Sequence, residues 1–350
     1  MTDFHLSTAE QDFRRALQSQ QAGRYEEAVQ LLARAGAQDH VMALSMLGGQ
    51  LMSGRGVRPD FVSGLRMMRR AAELGGAYAW AVLSAASAFG LEGRPDWVTA
   101  LDQLQRSAEL GYELAQGQLK VLAELTGAQP PGASWASLRR SIDVDAWRSP
   151  PAAETLSADP EIKSVSDLAP VSACKWLIAR VRDRMQHAVV NDPLGRQLAT
   201  HPGRTNSYAG FTLIDADLVA PMLRERLATA AGVDVMAMEP PQVLHYAVGE
   251  QYMPHFDFLE PGLPGDAQAI HQHGQRIATL LIYLNDGFEG GETDFPLLGV
   301  RYKGGTGDAL LFRNVTPAGA PDRRTKHAGL PPTSGDKWLF SQWVRDRPYR

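Results

Sequence analysis

The sequence predicts an α + β multidomain protein, with an N-terminal solenoid of helical repeats and a C-terminal β-sandwich or barrel. Residues 1 to about 125 repeat with a constant 36-residue offset, which is typical of helix-pair arrays. After Asn206 the sequence changes to short runs rich in Val, Ile, Leu, Tyr and Phe, separated by turn residues, as in all-β folds. A chain of 350 residues is also longer than a single hydrophobic core usually accommodates, so two domains are expected.

The 36-residue offset holds position by position in the N-terminal part. Ala43 recurs as Ala79, and Asp60 recurs as Asp96. Small residues at fixed positions let the helices of a solenoid approach each other. We expect each aspartate to cap the second helix of its pair and a glycine such as Gly75 to end that helix in the left-handed conformation. This part resembles the Sel-like branch of the tetratricopeptide superfamily.

Three segments follow from these changes of composition. They are helical repeats at 1–125, a Pro/Ala/Ser-rich linker at 126–165 and the chemistry-bearing domain at 166–350. Clusters of Pro, Ala, Ser and Gly are typical of connections between packed elements. Within the linker, Trp135 and Trp147 are expected to hold it against one of the domains. An amphipathic helix is predicted at the start of the third segment, because apolar residues from Leu168 to Met185 recur at helical spacing.

Composition and charge exclude several classes of protein. The chain is 44% hydrophobic and 21% charged, so it is neither disordered nor collagen-like. No apolar run approaches the roughly 18 residues of a transmembrane helix, and no secretory signal is visible at the N-terminus. The net charge of −4 does not favour nucleic-acid binding, which requires a concentrated basic surface. A single cysteine, Cys174, excludes an intrachain disulfide framework, and the cytosol is the expected compartment.

A candidate metal site combines His255, Asp257 and His327. In a strand, residues two apart share a face, and His327 follows Asp257 by 70 residues. Two histidines and one carboxylate form the facial triad that binds iron(II) and leaves positions open. An isolated H-x-D pattern often arises by chance, and a strand histidine is often structural. The pair His271/His273 has similar spacing but no carboxylate partner of its own, so it is interpreted as a surface or lid feature.

The motifs of the C-terminal part resemble, in order, the prolyl 4-hydroxylase branch of the iron(II)/2-oxoglutarate dioxygenases over roughly residues 166–347. They are GEQYMPHFDF, RIATLLIYLND, GGETDFP, KHAGLPP and GDKWLFSQW. The resemblance implies a double-stranded β-helix, or jelly roll, flanked by helices. It also implies Fe(2+) as cofactor, 2-oxoglutarate and O2 as cosubstrates, and ascorbate as an additional ligand.

Residue roles follow from the same resemblance. His255, Asp257 and His327 would bind iron and form the catalytic centre. Lys337 would bind the distal carboxylate of 2-oxoglutarate through a charge-assisted hydrogen bond. Further residues match family positions that line the cosubstrate pocket; these are Tyr246, Tyr283 and Thr279. The implied reaction hydroxylates an unactivated C–H bond and releases succinate and CO2.

The segment before His327 departs from the family pattern because it is strongly basic. Family members often have a small or apolar residue just before this histidine, whereas here the position is Lys326. One interpretation is a solvated basic loop. The other is that cations near the site bind a carboxylate of the substrate; the candidate substrate residues are Arg313, Arg324, Lys326 and Trp343.

Two classes of function stay open at this stage. The first is a hydroxylase acting on a prolyl residue of a protein or on a free imino or amino acid. The second is a catalytically inactive barrel in a repeat-based interaction scaffold, which the complete ligand set and Lys337 argue against. An iron enzyme of cupin type without 2-oxoglutarate is disfavoured by Lys337 and Tyr246. The helical part would either recruit the substrate or stabilise the barrel, and a chain shortened to begin near residue 160 tests this.

Overall fold

The structure is a computed structural model that describes residues 7–91, 93–127, 132–191, 198–199 and 202–349. The chain divides into two compact units. The helical unit consists of Met1–Ala123, Gly127–Ile142 and Thr212–Leu218. The sheet unit consists of Glu124–Thr126, Asp143–Phe211 and Val219–Arg350.

The helical unit contains the repeats that the 36-residue offset predicts. Its described helices are α1 (Thr8–Gln21), α2 (Tyr25–Gly36), α3 (Val41–Ser53), α4 (Phe61–Glu73), α5 (Ala77–Ala88), α6 (Trp97–Glu109), α7 (Glu113–Ala123) and α8 (Trp135–Ser141). The predicted caps are confirmed: Asp60 accepts a hydrogen bond from the Ser63 amide at 3.0 Å, and Asp96 accepts one from Thr99 at 3.0 Å. Gly75 has a φ of 92°, the left-handed end expected after α4.

A short strap, Thr212–Leu218, belongs to the helical unit although its neighbours in sequence belong to the sheet unit. The Gln118 side chain of α7 donates to the Ala216 carbonyl at 2.9 Å and accepts from the Leu218 amide at 2.6 Å. The Tyr78 hydroxyl donates to the Ile214 carbonyl at 2.8 Å. These bonds satisfy the backbone of the strap inside the helical unit, which the repeat pattern did not predict.

The sheet unit contains four α-helices and sixteen strands among its described residues. The helices are α9 (Val144–Trp147), α10 (Val171–Val181), α11 (Val219–Ala231) and α12 (Pro264–His273). The strands are β1 (Glu154–Ala158), β2 (Glu161–Val165), β3 (Gln186–His187), β4 (Val190–Asn191), β5 (Leu198–Ala199), β6 (Ser207–Gly210), β7 (Gln242–Tyr246), β8 (Tyr252–His255), β9 (Arg276–Tyr283), β10 (Glu289–Gly290), β11 (Thr293–Phe295), β12 (Val300–Tyr302), β13 (Ala309–Arg313), β14 (His327–Gly329), β15 (Pro332–Ser334) and β16 (Lys337–Arg345).

Two antiparallel sheets of the sheet unit position the site. The major sheet has the strand order β1-β2-β13-β9-β16-β7-β6-β3, and the minor sheet has the order β12-β11-β14-β8. Buried residues from both sheets share one core, among them Phe295 from β11 and Phe312 from β13. The predicted jelly roll is therefore present as two sheets, and the described strands do not close into a barrel.

The segment 126–165, expected to be a linker, is ordered where it is described. It contains α8, α9 and the hairpin β1–β2, and β2 pairs with β13 to extend the major sheet. Trp147 is fully buried, and the Arg226 side chain donates to the Ala146 and Trp147 carbonyls. The prediction of a linker from the Pro/Ala/Ser composition was wrong, because the same composition also occurs in turns and at the edges of sheets, where few apolar residues are required.

The predicted amphipathic helix is present but shorter than expected. It is α10, in which Cys174, Leu177 and Val181 are buried. Val171 begins the helix and is exposed, and Met185 lies beyond the helix end. None of the described helices is long and apolar enough to cross a membrane.

Candidate metal and cosubstrate site

Pairing between two strands of the minor sheet brings the two histidines together. β8 and β14 run antiparallel, with His327 directly opposite His255. Asp257 lies two residues beyond His255, just past the end of β8. The potential ligand atoms of these three side chains lie within 4.8 Å of one another. The sequence prediction of a three-residue metal cluster is therefore reproduced in the geometry.

Backbone carbonyls orient both imidazole rings. Nδ1 of His255 lies 2.8 Å from the Met253 carbonyl, and Nδ1 of His327 lies 3.0 Å from the Thr325 carbonyl. Since a carbonyl can only accept, each Nδ1 donates, and each Nε2 is left with its lone pair. The two Nε2 atoms lie 3.6 and 3.5 Å from the Asp257 carboxylate. This orientation by outer partners is the usual one for histidine ligands.

The protonation states also suit a metal ion. Burial, together with the neighbouring His327, lowers the pKa of His255 to about 4, so its ring is neutral at pH 7. Burial by itself would raise the pKa of Asp257, but the neighbouring His327 and His255 side chains hold that pKa well below its ordinary value. Two imidazole nitrogens beside an ionised carboxylate form a donor set that fits iron(II).

Aromatic and cationic side chains surround the histidines. The Tyr252 ring stacks on His255 with centroids 3.4 Å apart, and the Arg204 guanidinium lies 4.7 Å from the Tyr252 ring centroid. Phe312 packs edge-on against His327 at 4.7 Å. These contacts keep both rings in fixed planes. Neither Tyr252 nor Phe312 was predicted to belong to the site, although Tyr252 lies within the motif GEQYMPHFDF.

Lys337 is a fully buried lysine at the first position of β16, opposite Tyr246 of β7. Its ammonium has no hydrogen-bond partner among the described residues and lies 5.0 and 5.5 Å from the Tyr246 and Tyr283 ring centroids. Burial lowers the pKa of Lys337 to about 7, although Glu292 opposes this effect. A buried ammonium without a partner is costly, and the carboxylate of a bound anion would satisfy it.

Tyr246, Tyr283 and Thr279 occupy different places around this lysine. Tyr246 is buried and lines the same cavity as Lys337. The Tyr283 hydroxyl, by contrast, is engaged with Thr293 at 2.9 Å and with the Tyr302 carbonyl at 3.1 Å. The Thr279 hydroxyl donates to Asp257 Oδ2 at 2.7 Å. Of the three predicted cosubstrate residues, Thr279 is thus bonded directly to a metal-ligand candidate.

Two of the basic substrate candidates lie elsewhere in the sheet unit. Arg324 pairs with Asp159 at 2.8 Å and with Asp322 at 2.7 Å. Arg313 lies 3.5 Å from Glu161 and donates to the Ala231 carbonyl. Neither lines the cavity that contains the triad or the larger cavity beside it, so the expectation that they face the substrate is corrected. Sequence proximity to His327 was misleading because carboxylates distant in sequence neutralise both cations.

Lys326 and Trp343, in contrast, remain next to the site. The Lys326 ammonium lies 5.8 Å from the Phe256 ring centroid, and Lys326 has no carboxylate partner among the described residues. Trp343 lines both cavities beside the triad. The Arg276 guanidinium lies 3.7 Å from the Trp343 ring and binds both carboxylate oxygens of Glu239, at 2.6 and 3.0 Å.

His271 and His273 lie on α12, which has no buried residues. His273 packs against Tyr349, with ring centroids 5.0 Å apart. Within the described parts of the chain, the triad is the only cluster of three or more possible ligands. The interpretation of this His-x-His pair as a surface feature is consistent with its position.

Two cavities meet at the triad. The inner cavity, of about 40 Å³, is lined by the three ligand candidates, Lys337 and Tyr246. The outer cavity, of about 320 Å³, is lined by aromatic and cationic side chains; these include Tyr252, Phe256, Trp343, Arg204 and Arg276. Asp257 lines both. A small cavity that contains the triad and the unpaired lysine therefore adjoins a larger aromatic cavity through Asp257, Tyr252 and Trp343.

Comparison with known proteins agrees with this site. The 2OG-Fe(II) oxygenase superfamily profile matches residues 241–345. Probable prolyl 4-hydroxylase 10 of Arabidopsis thaliana is 31% identical over 216 residues, which cover 56% of this chain and 73% of that protein. Prolyl 4-hydroxylase subunit alpha-1 of Gallus gallus is 34% identical over 205 residues, covering 58% of this chain and 37% of that subunit. The chain thus spans little more than a third of the length of that subunit.

For the helical part, the crystal structure of a Sel1 repeat protein from Oxalobacter formigenes matches 40% of this chain and 61% of that chain, with 21% identity and a TM-score of 0.32.

The fold and the site together define a 2-oxoglutarate- and iron(II)-dependent oxygenase. Within that class, the chain belongs to the prolyl 4-hydroxylase family. The matched superfamily consists of oxygenases that use Fe(2+) as cofactor and 2-oxoglutarate and O2 as cosubstrates.

Proposed function

We propose that this protein is a prolyl hydroxylase that oxidises an unactivated C–H bond while converting 2-oxoglutarate and O2 to succinate and CO2. The observation that carries the proposal is the shared inner cavity, where a complete His/Asp/His triad faces a buried, unpaired lysine. The iron ion, when bound, supplies the activation of O2. An inactive scaffold would have no need to keep an ammonium buried without a partner.

The residues of the chain supply binding, orientation and exclusion of water. His255, Asp257 and His327 would hold the iron, with their donor atoms oriented by the backbone contacts of the two rings. The Lys337 ammonium would bind the distal carboxylate of 2-oxoglutarate, and Tyr246 would line the same end of the cavity. Because Lys337 is fully buried, its attraction to a carboxylate is stronger than at a surface.

The outer cavity supports a prolyl residue within a polypeptide as the substrate. Its aromatic walls, including Tyr252, Phe256 and Trp343, suit a saturated five-membered ring. Its volume of about 320 Å³ leaves room for the backbone on either side of that ring. A free imino or amino acid is the alternative substrate, and it would present its own carboxylate and amino group at the same place.

Lys326 supports a preference for negative charge near the target proline. Its neighbour Arg323 is paired with Glu260 at 2.6 Å, whereas Lys326 has no such partner among the described residues. Lys326 lies over Phe256, which lines the outer cavity. We therefore include in the proposal a carboxylate of the substrate bound by Lys326.

Release of succinate tests the proposal. The full-length enzyme, loaded with iron, is given proline-containing peptides in matched pairs that carry Glu or Gln beside the proline, and separately free proline and pipecolate. We expect turnover of the peptides, faster for Glu, and a reversal of this preference in Lys326→Glu but not in Arg324→Glu. Succinate release that no proline-containing compound stimulates would refute the prolyl hydroxylase, while equal rates for Glu and Gln peptides would refute only the role of Lys326.

The cytosolic location and the binding of ascorbate remain predictions of the sequence. The only cysteine, Cys174, is buried in α10, as expected for a residue that packs rather than one that forms a disulfide. Omitting ascorbate from the same assay and measuring how quickly activity declines would test its role.

A further inference from the structure

We propose that Thr279 and Asn314 are positioning residues that hold the Asp257 carboxylate for the metal through a hydrogen-bond relay. Asn314 Nδ2 lies 2.9 Å from Thr279 Oγ1, and Thr279 Oγ1 lies 2.7 Å from Asp257 Oδ2. All three side chains are buried, Asn314 completely. The relay gives Thr279 a role toward the metal ligand instead of the cosubstrate contact that the sequence predicts.

The chemistry of the three groups determines the direction of the relay. Asp257 is ionised and can only accept, so the single hydroxyl proton of Thr279 must point to it. The Thr279 oxygen then accepts, and the only side-chain donor that Asn314 can offer is its NH2 group. Asn314 Oδ1 is correspondingly left buried without a partner among the described residues. Buried oxygen atoms without a hydrogen-bond partner are rare in proteins. The unpaired Oδ1 therefore indicates that the hydrogen bond to Thr279 fixes the orientation of the Asn314 amide.

The backbone fixes both relay residues before any metal binds. Thr279 lies in the middle of β9, between β13 and β16 of the major sheet. Asn314 follows β13; its amide donates to the Ile277 carbonyl at 2.9 Å, and its carbonyl accepts from the Asp322 amide at 3.1 Å. Neither residue can therefore move without disturbing the sheet.

Asp257 needs such support more than the two histidines do. His255 and His327 are paired strand residues whose rings are bonded to backbone carbonyls, whereas Asp257 lies past the end of β8. The relay connects this ligand to the major sheet. The Thr279 hydroxyl is bonded to Oδ2 of Asp257. The other carboxylate oxygen, Oδ1, has no hydroxyl bonded to it and lies 3.6 Å from His255 Nε2.

A titration with cobalt(II) alone tests the relay independently of turnover. The apo full-length chain, without 2-oxoglutarate, is titrated and followed by the visible absorption of the bound ion. We expect Thr279→Val, which keeps the shape but loses the hydroxyl, to weaken cobalt binding about 10-fold or more. Thr279→Ser should retain near-normal affinity. Thr293→Val serves as the matched control, because it removes another buried hydroxyl, one bonded to Tyr283 and not to a ligand candidate.

A double-mutant cycle gives the second test. Asn314→Ala should also weaken cobalt binding, but it should add little in the Thr279→Val background, because Asn314 acts through that hydroxyl. Circular dichroism of the apo proteins checks folding, and Thr279→Ala replaces Thr279→Val in the cycle if the latter does not fold. Unchanged cobalt affinity in Thr279→Val, or independent and additive losses, would overturn the relay even if the enzyme proves to be a prolyl hydroxylase.

Discussion

At the scale of single residues, the three candidate ligands are held by different means. The two imidazoles depend on backbone carbonyls and on ring packing by Tyr252 and Phe312. Asp257 depends on the hydroxyl of Thr279. These separate supports explain how two imidazole rings and one carboxylate can remain close together in a buried site before a metal ion binds.

Removing one ligand should abolish metal binding. We expect His255→Ala and Asp257→Ala to lose cobalt(II) or anaerobic iron(II) binding and all succinate release, because two remaining protein ligands hold the ion too weakly. His271→Ala is the matched control, since His271 is an exposed histidine on α12. Full iron occupancy with normal turnover in either ligand variant would mean that the metal is bound elsewhere.

The lowered pKa of Lys337 predicts that 2-oxoglutarate binding takes up a proton. With a pKa of about 7 in the free protein, Lys337 is mostly neutral at pH 8, yet it must be charged to bind a carboxylate. Affinity should therefore be constant below pH 7 and fall by up to about tenfold per pH unit above it. Anaerobic calorimetry of the iron-loaded enzyme in buffers of different ionisation enthalpy measures the uptake.

Lys337→Met provides the comparison for this measurement. This variant should bind 2-oxoglutarate more weakly, show no proton uptake and retain normal cobalt binding. The assignment of Lys337 fails if the wild type takes up no proton at pH 8, or if the variant keeps both the affinity and its pH dependence.

At the scale of elements, the site depends on the register of two strand pairs. β8 against β14 aligns His255 with His327, and β16 against β7 aligns Lys337 with Tyr246. A shift of one residue in either pair would turn these side chains to the opposite face. The turn between β10 and β11 adds a further constraint, because a side chain at Gly291 would meet Phe288 and Lys337.

Gly291→Ala should destabilise the fold and impair cosubstrate binding together. Gly291 has a φ of 69°, and an added Cβ would lie 2.9 Å from the Phe288 ring and 3.3 Å from Lys337 Cδ. We expect the free energy of unfolding to fall by about 1–3 kcal/mol, measured by urea denaturation, and the KM for 2-oxoglutarate to rise.

Gly299→Ala is the matched control for this turn. Its φ is 66°, but no atom lies within 4 Å of the added Cβ, so only the backbone penalty of about 1 kcal/mol applies. Its KM for 2-oxoglutarate should be unchanged. Equal effects of the two substitutions on KM would show that contact with Lys337 is irrelevant.

At the scale of the whole molecule, the two units are not consecutive blocks of sequence. The strap Thr212–Leu218 places part of the C-terminal sequence in the helical unit, where Gln118 and Tyr78 bind its backbone. The segment 143–165, in turn, contributes α9, β1 and β2 to the sheet unit. A chain shortened to remove the repeats must therefore keep residues 143–165, and its strap will lack the partners that the helical unit supplies.

Shortened chains that begin at residue 143 and at residue 160 should behave differently. The first keeps Trp147, the carbonyls bound by Arg226 and the strand β1; the second loses all of them. We expect the chain 143–350 to bind cobalt(II) but to melt at a lower temperature than the full-length protein, because the strap loses its hydrogen-bond partners. The chain 160–350 should be less stable than 143–350, or insoluble. Equal melting temperatures of the two would contradict a structural role for 143–158.

The same pair of chains addresses the role of the repeats. If 143–350 releases succinate normally without substrate but loses turnover of the preferred peptide, the helical unit recruits the substrate. If peptide turnover is undiminished, recruitment is excluded and stabilisation remains as its role.

The sequence could predict features that depend on local spacing. The 36-residue offset located the caps at Asp60 and Asp96, and the H-x-D pattern together with His327 predicted the cluster of three side chains that the structure brings together. It could not predict the pairing of Arg324 with Asp159, because the two residues are far apart in sequence and meet only through the fold. For the same reason Thr279 was identified as a site residue, but its hydrogen bond to Asp257 was not.

The sequence by itself determined the helical repeats and the family, and it predicted a set of candidate residues for iron and 2-oxoglutarate, because repeat period and residue chemistry can be read directly from the sequence. The tertiary structure alone decided which cations are neutralised, that the presumed linker extends the major sheet, and that the strap belongs to the helical unit. It also decided that Lys337 is buried without a partner and that Asn314 supports Asp257 through Thr279. These outcomes depend on contacts between distant segments, whose energies arise only when the chain is packed.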